Sequence, residues 1–251
     1  MTSYGIYHKY CEKLSQFVKE VCQGRPDDHG FKHMQEVAQN CHKHRYECIE
    51  KNLDTHLKLM TVAWLHDVAD HKFTKNNPDL KVKLENFLKE IRPDDYQIIS
   101  SIIDDISFSK ENQLYKSGVL KFEPDDMEAD RYWIEKYGKE NARIRNIVSD
   151  EDKLLALGKT GVKRCIEYNL QRIETEIEEK YQKNDKEEKD KKEEAKSITD
   201  ILKEDIYKHC QEKLFILPKF MRTKSGKLRS VELLKEFQEE LLIQFPEKNK
   251  S

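Results

Sequence analysis

The stretch THLKLMTVAWLHDVADHKF, residues 55–73, decides the fold. Leu57, Met60, Trp64 and Leu65 recur at helical spacing. The run Thr61-Val62-Ala63-Trp64-Leu65 is apolar, so a buried helix is predicted, capped at its start by Asp54 and ending near His66-Asp67. A histidine and a carboxylate at the end of a buried helix read either as a cap or surface pair, or as metal ligands. Adjacent helical side chains point about 100° apart, yet both reach an ion lying over the helix end.

Helical periodicity continues on both sides. Ile6, Tyr10, Leu14, Phe17, Val18 and Val21 mark a helix over 4–22, closed by Gly24-Arg25-Pro26. Met34, Val37, Ala38 and Cys41 mark a second helix. Pro78 and Pro93 stand where first-turn prolines belong. After them come Val82, Phe87, Leu88 and Ile91, then Ile99, Ile102, Ile103 and Ile106. Further helices are expected over 125–137 and from 140 to Gly158. From 176 the chain becomes EIEEKYQKNDKEEKDKKEEAKS, too polar to bury a face. It reads as an exposed helical extension or a solvated linker. Apolar periodicity returns at Ile198–Leu217 and Leu228–Leu242.

Composition agrees with helices. Gly and Pro number only 8 and 6 among 251 residues, so breakers are few. The net charge of −2 provides no electrostatic footprint for nucleic acid or an anionic membrane, and neither partner is expected. No run is long and apolar enough to span a bilayer. The six cysteines include no C-x-x-C pair, and the first residues lack a signal-peptide core. A soluble, reducing, cytoplasmic setting with free thiols is the expectation.

Two more residues fit with His66-Asp67. His33 edges the apolar stripe of its helix, one position before Met34. Asp152 follows Ile147-Val148 at inward-facing spacing, and a buried carboxylate is costly without a cation beside it. Each alone also fits a structural role: a core histidine bonded to a carbonyl, or a carboxylate paired with Lys or Arg.

Together they form the order His33…His66-Asp67…Asp152, and here the chain resembles the HD-domain phosphohydrolase superfamily, more narrowly its YedJ/YpgQ-type branch. The matching stretches are Arg25–Met34, Trp64–Phe73, Ile106–Phe108, Ile147–Leu154 with Ala156–Gly158, Gly161-Val162 with Arg164, and near the C-terminus Glu212–Leu214 and Met221–Thr223 with Gly226. The branch differs in commonly having Arg at Glu36 and an acid at Leu155, and Ser149 and Glu151 also depart from it.

The resemblance implies an all-α HD-domain helical bundle: an HD core over 1–175, the charged segment over 176–197, and C-terminal helices over 198–251 packing back on the body. It implies metal ligands His33, His66, Asp67 and Asp152. His29 falls at the substrate rim with Arg164 as a further substrate contact. Asp70 and Lys72 fall near the attacked phosphate as catalytic groups, although they fit a helix cap and a solvated lysine equally well. Dinuclear relatives carry histidines between the HD pair and the last Asp. None lies between His71 and Asp152, so one divalent ion is expected: Mn, Fe, Co, Ni or Mg, with zinc fitting less well. The implied activity is metal-dependent hydrolysis of a nucleotide or related phosphate compound, in its narrower form a nucleoside triphosphate pyrophosphohydrolase. The rival is a non-catalytic HD scaffold or regulatory binding protein. A third reading, a helical protein with coincidental motifs, requires His33 and Asp152 to lie far from His66-Asp67.

Overall fold

A computed structural model describes residues 2–27, 29–47, 52–75, 77–121, 127–184 and 198–246. The described chain is all-α, with twelve α-helices, two short 3-10 helices and no strand among these residues. It divides into two compact units, Met1–Lys153 with Met221–Lys227, and Leu154–Phe220 with Leu228–Ser251.

The first unit is built around α3 (Leu53–Leu65), the helix of the opening stretch. Every residue from Lys58 to Leu65 is buried, with the Lys58 ammonium paired to Asp95 at 3.3 Å. α1 (Ser3–Val21), α2 (Phe31–His44) and α6 (Tyr96–Asp104) pack on it. The start of α3 corrects one expectation. Its cap is Asn52, whose side chain accepts from Thr55 N–H at 2.8 Å. Asp54 instead takes the Arg92 guanidinium at 2.7 Å. Both residues are good N-caps, and the backbone admits one.

α4 (His71–Thr74), α5 (Asp79–Ile91), α7 (Phe108–Lys116), α8 (Met127–Tyr137) and α9 (Lys139–Leu154) complete the unit. Pro78 immediately precedes α5, while Pro93 lies in the turn before α6 rather than in its first turn. The buried stripe of α5 starts on Leu80 and runs through Leu84, Phe87 and Leu88, which leaves Val82 57% exposed. α9 stops at Leu154, four residues short of Gly158.

Residues 221–227 carry a tight turn into α12 (Lys224–Gln244). The Asp150 carboxylate accepts from the N–H groups of Arg222 and Thr223, at 2.9 and 2.7 Å, and from the Thr223 hydroxyl. A Cβ at Gly226 would meet Asp150 Oδ2 at 2.3 Å. That carboxylate is pinned by its bonds and cannot withdraw. Gly226→Ala is therefore expected to destabilise the protein by about 1–3 kcal/mol, read as a lower urea midpoint.

In the second unit α10 (Gly158–Asn184) packs on α11 (Ile198–Glu212), which packs on the 3-10 segment Leu214–Phe220. Val162, Cys165, Ile173, Ile206, Cys210 and Phe237 are buried here. Arg172 ties α10 to Asp205 of α11 at 2.6 Å. The charged segment is helical up to Asn184, and 185–197 fall outside the described residues. On α12, Leu228 and Val231 are 63% and 65% exposed, so that apolar stripe is not all core. The described cysteines, Cys11, Cys22, Cys41, Cys165 and Cys210, are free thiols, and no helix among the described residues is long and apolar enough to cross a membrane.

Candidate metal centre

α2 and α3 run antiparallel, so that His33 near the start of one meets His66 just past the end of the other. The Nε2 atoms of the two rings are 3.2 Å apart. Asp152, from the last turn of α9, brings Oδ1 to 3.2 Å from His33 Nε2 and 3.8 Å from His66 Nε2. Two imidazole nitrogens and a carboxylate oxygen thus converge on one point, the only such group of three His, Cys, Asp or Glu among the described residues. The coincidental reading fails on these distances.

The spacing fits a cation. At a bond length of about 2.1 Å, neighbouring ligand atoms of one ion stand about 3.0–3.4 Å apart. His33 meets this toward both His66 and Asp152, while the 3.8 Å between His66 and Asp152 must close by a few tenths of an ångström on binding. The tautomer fits as well. His66 Nδ1 lies 2.9 Å from the Ala63 carbonyl, which can only accept, so Nδ1 carries the hydrogen and the Nε2 lone pair faces the cluster. His33 Nδ1 is buried without a hydrogen-bond partner, so the polar contacts of its ring are those of Nε2, and the rings of His29 and His66 pack beside it.

Asp67 stands beside this trio. Its Oδ2 is 4.0 Å from His33 Nε2 and takes a hydrogen bond from His29 Nδ1 at 2.8 Å. His29 Nε2 in turn faces Lys72 Nζ at 3.2 Å. An ionised carboxylate only accepts and an ammonium only donates, so the chain runs Lys72 to His29 to Asp67 in one direction. Asp70 caps the short helix α4, accepting from Lys72 N–H at 2.8 Å, and lies 3.1 Å from His71 Nδ1. Arg164 belongs to the second unit, where its guanidinium reaches the Leu155 carbonyl at 3.4 Å.

Charge in the cluster is strongly perturbed. Burial penalises a charged His66, yet the Asp152 carboxylate 3.8 Å away and the field of Asp67 outweigh this and raise it to about 9. Burial opposes ionisation of Asp67, but the His29 bond and His66 hold it down to about 2. Asp152 is likewise buried, and His33 at 3.2 Å with His66 at 3.8 Å keep it well below the ordinary carboxylate range. Without a metal, protons on imidazole nitrogens balance the two carboxylates. A divalent cation can take their place.

Two features had no counterpart in the reading of the sequence. Arg25 spans from the first loop to the end of α3, donating to the carbonyls of Asp67 at 3.2 Å and Val68 at 2.7 Å, with its guanidinium stacked on Phe73. It neutralises the carbonyl end of α3 that carries the His-Asp pair. Next to Asp152, Lys153 enters a wholly buried charge network. Glu111 pairs with Lys153 at 3.1 Å, Arg145 at 2.8 Å and Arg222 at 3.0 Å.

No protein-family profile and no curated protein sequence matches the chain. Solved structures do. Bacillus subtilis YpgQ in complex with ADP aligns at a TM-score of 0.55 and 17% identity, over 96% of this chain and 97% of that one. YpgQ crystallised by itself gives 0.56 and 16%, over 96% and 98%. A Lactobacillus plantarum protein gives 0.56 and 22%, over 94% of each chain. At these identities the likeness speaks for the fold alone: the chain has the all-α fold of the YpgQ structures.

Proposed function

We infer that the chain is a metal-dependent phosphohydrolase acting on a nucleotide or a related phosphate compound. The observation that carries this reading is the convergence of His33 Nε2, His66 Nε2 and Asp152 Oδ1, with the His66 tautomer set by Ala63. Those three residues would hold one divalent ion, with Asp67 as the fourth ligand. Mixed nitrogen and oxygen donors suit Mn²⁺, Fe²⁺, Co²⁺, Ni²⁺ or Mg²⁺. When bound, such an ion lowers the pKa of a coordinated water and polarises a phosphoryl oxygen.

The chain's own residues do the rest. Asp67 is oriented by His29, and His29 by Lys72, so the ligand carboxylate is aimed from outside the cluster. Lys72 offers a cation to the substrate phosphate. Asp70, already fixed by the Lys72 amide, positions or deprotonates the attacking water. The ADP bound to YpgQ favours a nucleoside di- or triphosphate. Cleavage between the α- and β-phosphates, with release of pyrophosphate from a triphosphate, is the narrower form.

The test is a panel of nucleoside and deoxynucleoside mono-, di- and triphosphates with Mn²⁺, Mg²⁺ or Co²⁺, reading phosphate and pyrophosphate release. Turnover that needs the metal supports the reading. Metal bound stoichiometrically with no turnover on any member would instead mark a non-catalytic scaffold. His29→Ala is expected to weaken Mn²⁺ binding about 10–100-fold by calorimetry, with the helical circular dichroism unchanged.

A further inference from the structure

The register that joins His33 to His66 repeats at the other end of the same helix pair. His42 lies nine residues along α2 from His33, and His56 ten residues back along α3 from His66. At about 1.5 Å rise per residue the second pair sits about 14 Å from the first. His42 Nδ1 and His56 Nε2 are 3.2 Å apart, the same separation as the nitrogens of the first pair. Their ring centres are 5.1 Å apart, against 5.2 Å for His33 and His66. Two imidazoles sharing an ion at about 2.1 Å have nitrogens about 3.0–3.4 Å apart and ring centres about 5 Å apart. Both pairs meet that description.

An oxygen donor completes the second group. Tyr7, from α1, places its hydroxyl 2.6 Å from His42 Nδ1, and its ring lies 4.6 Å from that of His56. Cys11 lies one turn further along α1. Tyr7, Cys11, His42 and His56 are all half-buried, which keeps the group open to solvent ions. Hydrogen bonding accounts for the group poorly. A neutral His42 Nδ1 has either one hydrogen or one lone pair, yet it faces two polar atoms at once. Coordination gives both imidazole nitrogens the same partner.

We propose that Tyr7, His42 and His56 form a second metal site that takes a borderline transition-metal ion such as Zn²⁺. Two imidazoles with a phenol suit zinc better than Mg²⁺ or Mn²⁺, so the two ends of the helix pair differ in preferred ion. Arg45 lies close by, bonded to the His42 carbonyl and at 2.5 Å to the Tyr46 hydroxyl. Its charge disfavours a cation with only neutral ligands. Burial pushes the Tyr7 hydroxyl above its ordinary value, so it gives its proton to solvent only as the ion binds, and its oxygen then draws back from His42 to a ligand spacing.

Full-length protein would be dialysed against Zn²⁺ and its metal content counted by mass spectrometry. The His42→Gln/His56→Gln variant is expected to hold one zinc equivalent fewer than wild type. Because His33, His66 and Asp152 are untouched, metal-dependent nucleotide turnover should not change, and the outcome is independent of the activity inferred above. Tyr7→Phe should weaken the same equivalent about tenfold or more. In wild-type protein with ¹⁵N-labelled histidine, Zn²⁺ should shift His42 Nδ1 and His56 Nε2, and this readout decides the matter if the double variant does not fold. Equal zinc content in wild type and double variant, or both nitrogens unshifted across the titration, would overturn the proposal.

Discussion

A Glu111→Gln protein is expected to melt roughly 10 °C below the unaltered chain, a loss of about 3–5 kcal/mol. Glu111 is fully buried, and its two oxygens serve three cations: Arg145 and Lys153 on one, Arg222 on the other. Arg145, Lys153 and Arg222 are themselves buried. A neutral amide leaves three buried charges without the anion that offset their desolvation, which costs far more than loss of an exposed pair. The pH dependence identifies the cause. Burial pushes Glu111 toward its neutral form, but the three cations outweigh burial and hold its carboxyl far below the ordinary range. Its folded-state pKa is thus below the unfolded one. The stabilisation is present above the ordinary glutamate value of about 4.3 and is lost as pH falls toward the folded value. The variant should lack that acid limb. Thermal melts of both proteins from pH 7 down to pH 3 measure this, and parallel curves would assign the limb to other carboxylates.

His66→Ala is expected to lower metal-dependent hydrolysis by about 10³-fold or more, since a bound ion supplies several kcal/mol of transition-state stabilisation and each 1.36 kcal/mol is a factor of about ten. Asp152→Asn should act similarly, because the amide keeps the shape but removes the charge. Binding of the ion should also depend on pH. His66 in the metal-free protein is raised to about 9, so at neutral pH it carries a second proton, on Nε2 and directed at Asp152. The metal must displace that proton. Apparent affinity should therefore rise about tenfold per pH unit up to about pH 9, with about one proton released at pH 7. The sign for the metal-free fold is opposite. A raised folded pKa contributes stability that is present below the ordinary histidine value of about 6.5 and is lost as pH rises through about 9. Calorimetry in buffers of differing ionisation enthalpy counts the proton. A pH-independent affinity would remove His66 from the ligand set.

The trio of the candidate centre was legible because each member sits where a helical stripe meets a polar exception: His33 beside Met34, His66 after Leu65, Asp152 after Val148. Local periodicity places such residues inward, and the order of motifs selects which inward groups meet. Asp67 was legible as a neighbour, but not that His29 would claim its carboxylate, since that bond spans 38 positions. Cap choice at α3 was unreadable for a plainer reason: Asn52 and Asp54 offer the same chemistry two residues apart. Glu111 left no trace at all. It stands in the polar helix FSKENQLYK, where every pattern rule places a charged residue outside. Its burial is set by cations 34, 42 and 111 positions away, which no local window contains.

The last of those separations has a consequence for how the polypeptide is made. The first unit is discontinuous: it needs residues 221–227, which follow a stretch of chain assigned to the other unit. A ribosome synthesises all the metal-site side chains by Asp152, but Arg222 and the turn bonded to Asp150 emerge only some seventy positions later. Until then Glu111 has two of its three cations, and Asp150 has no amides to bind. The nascent chain therefore carries the candidate ligands on an incomplete scaffold, and this unit locks into place only once residues 221–227 have emerged.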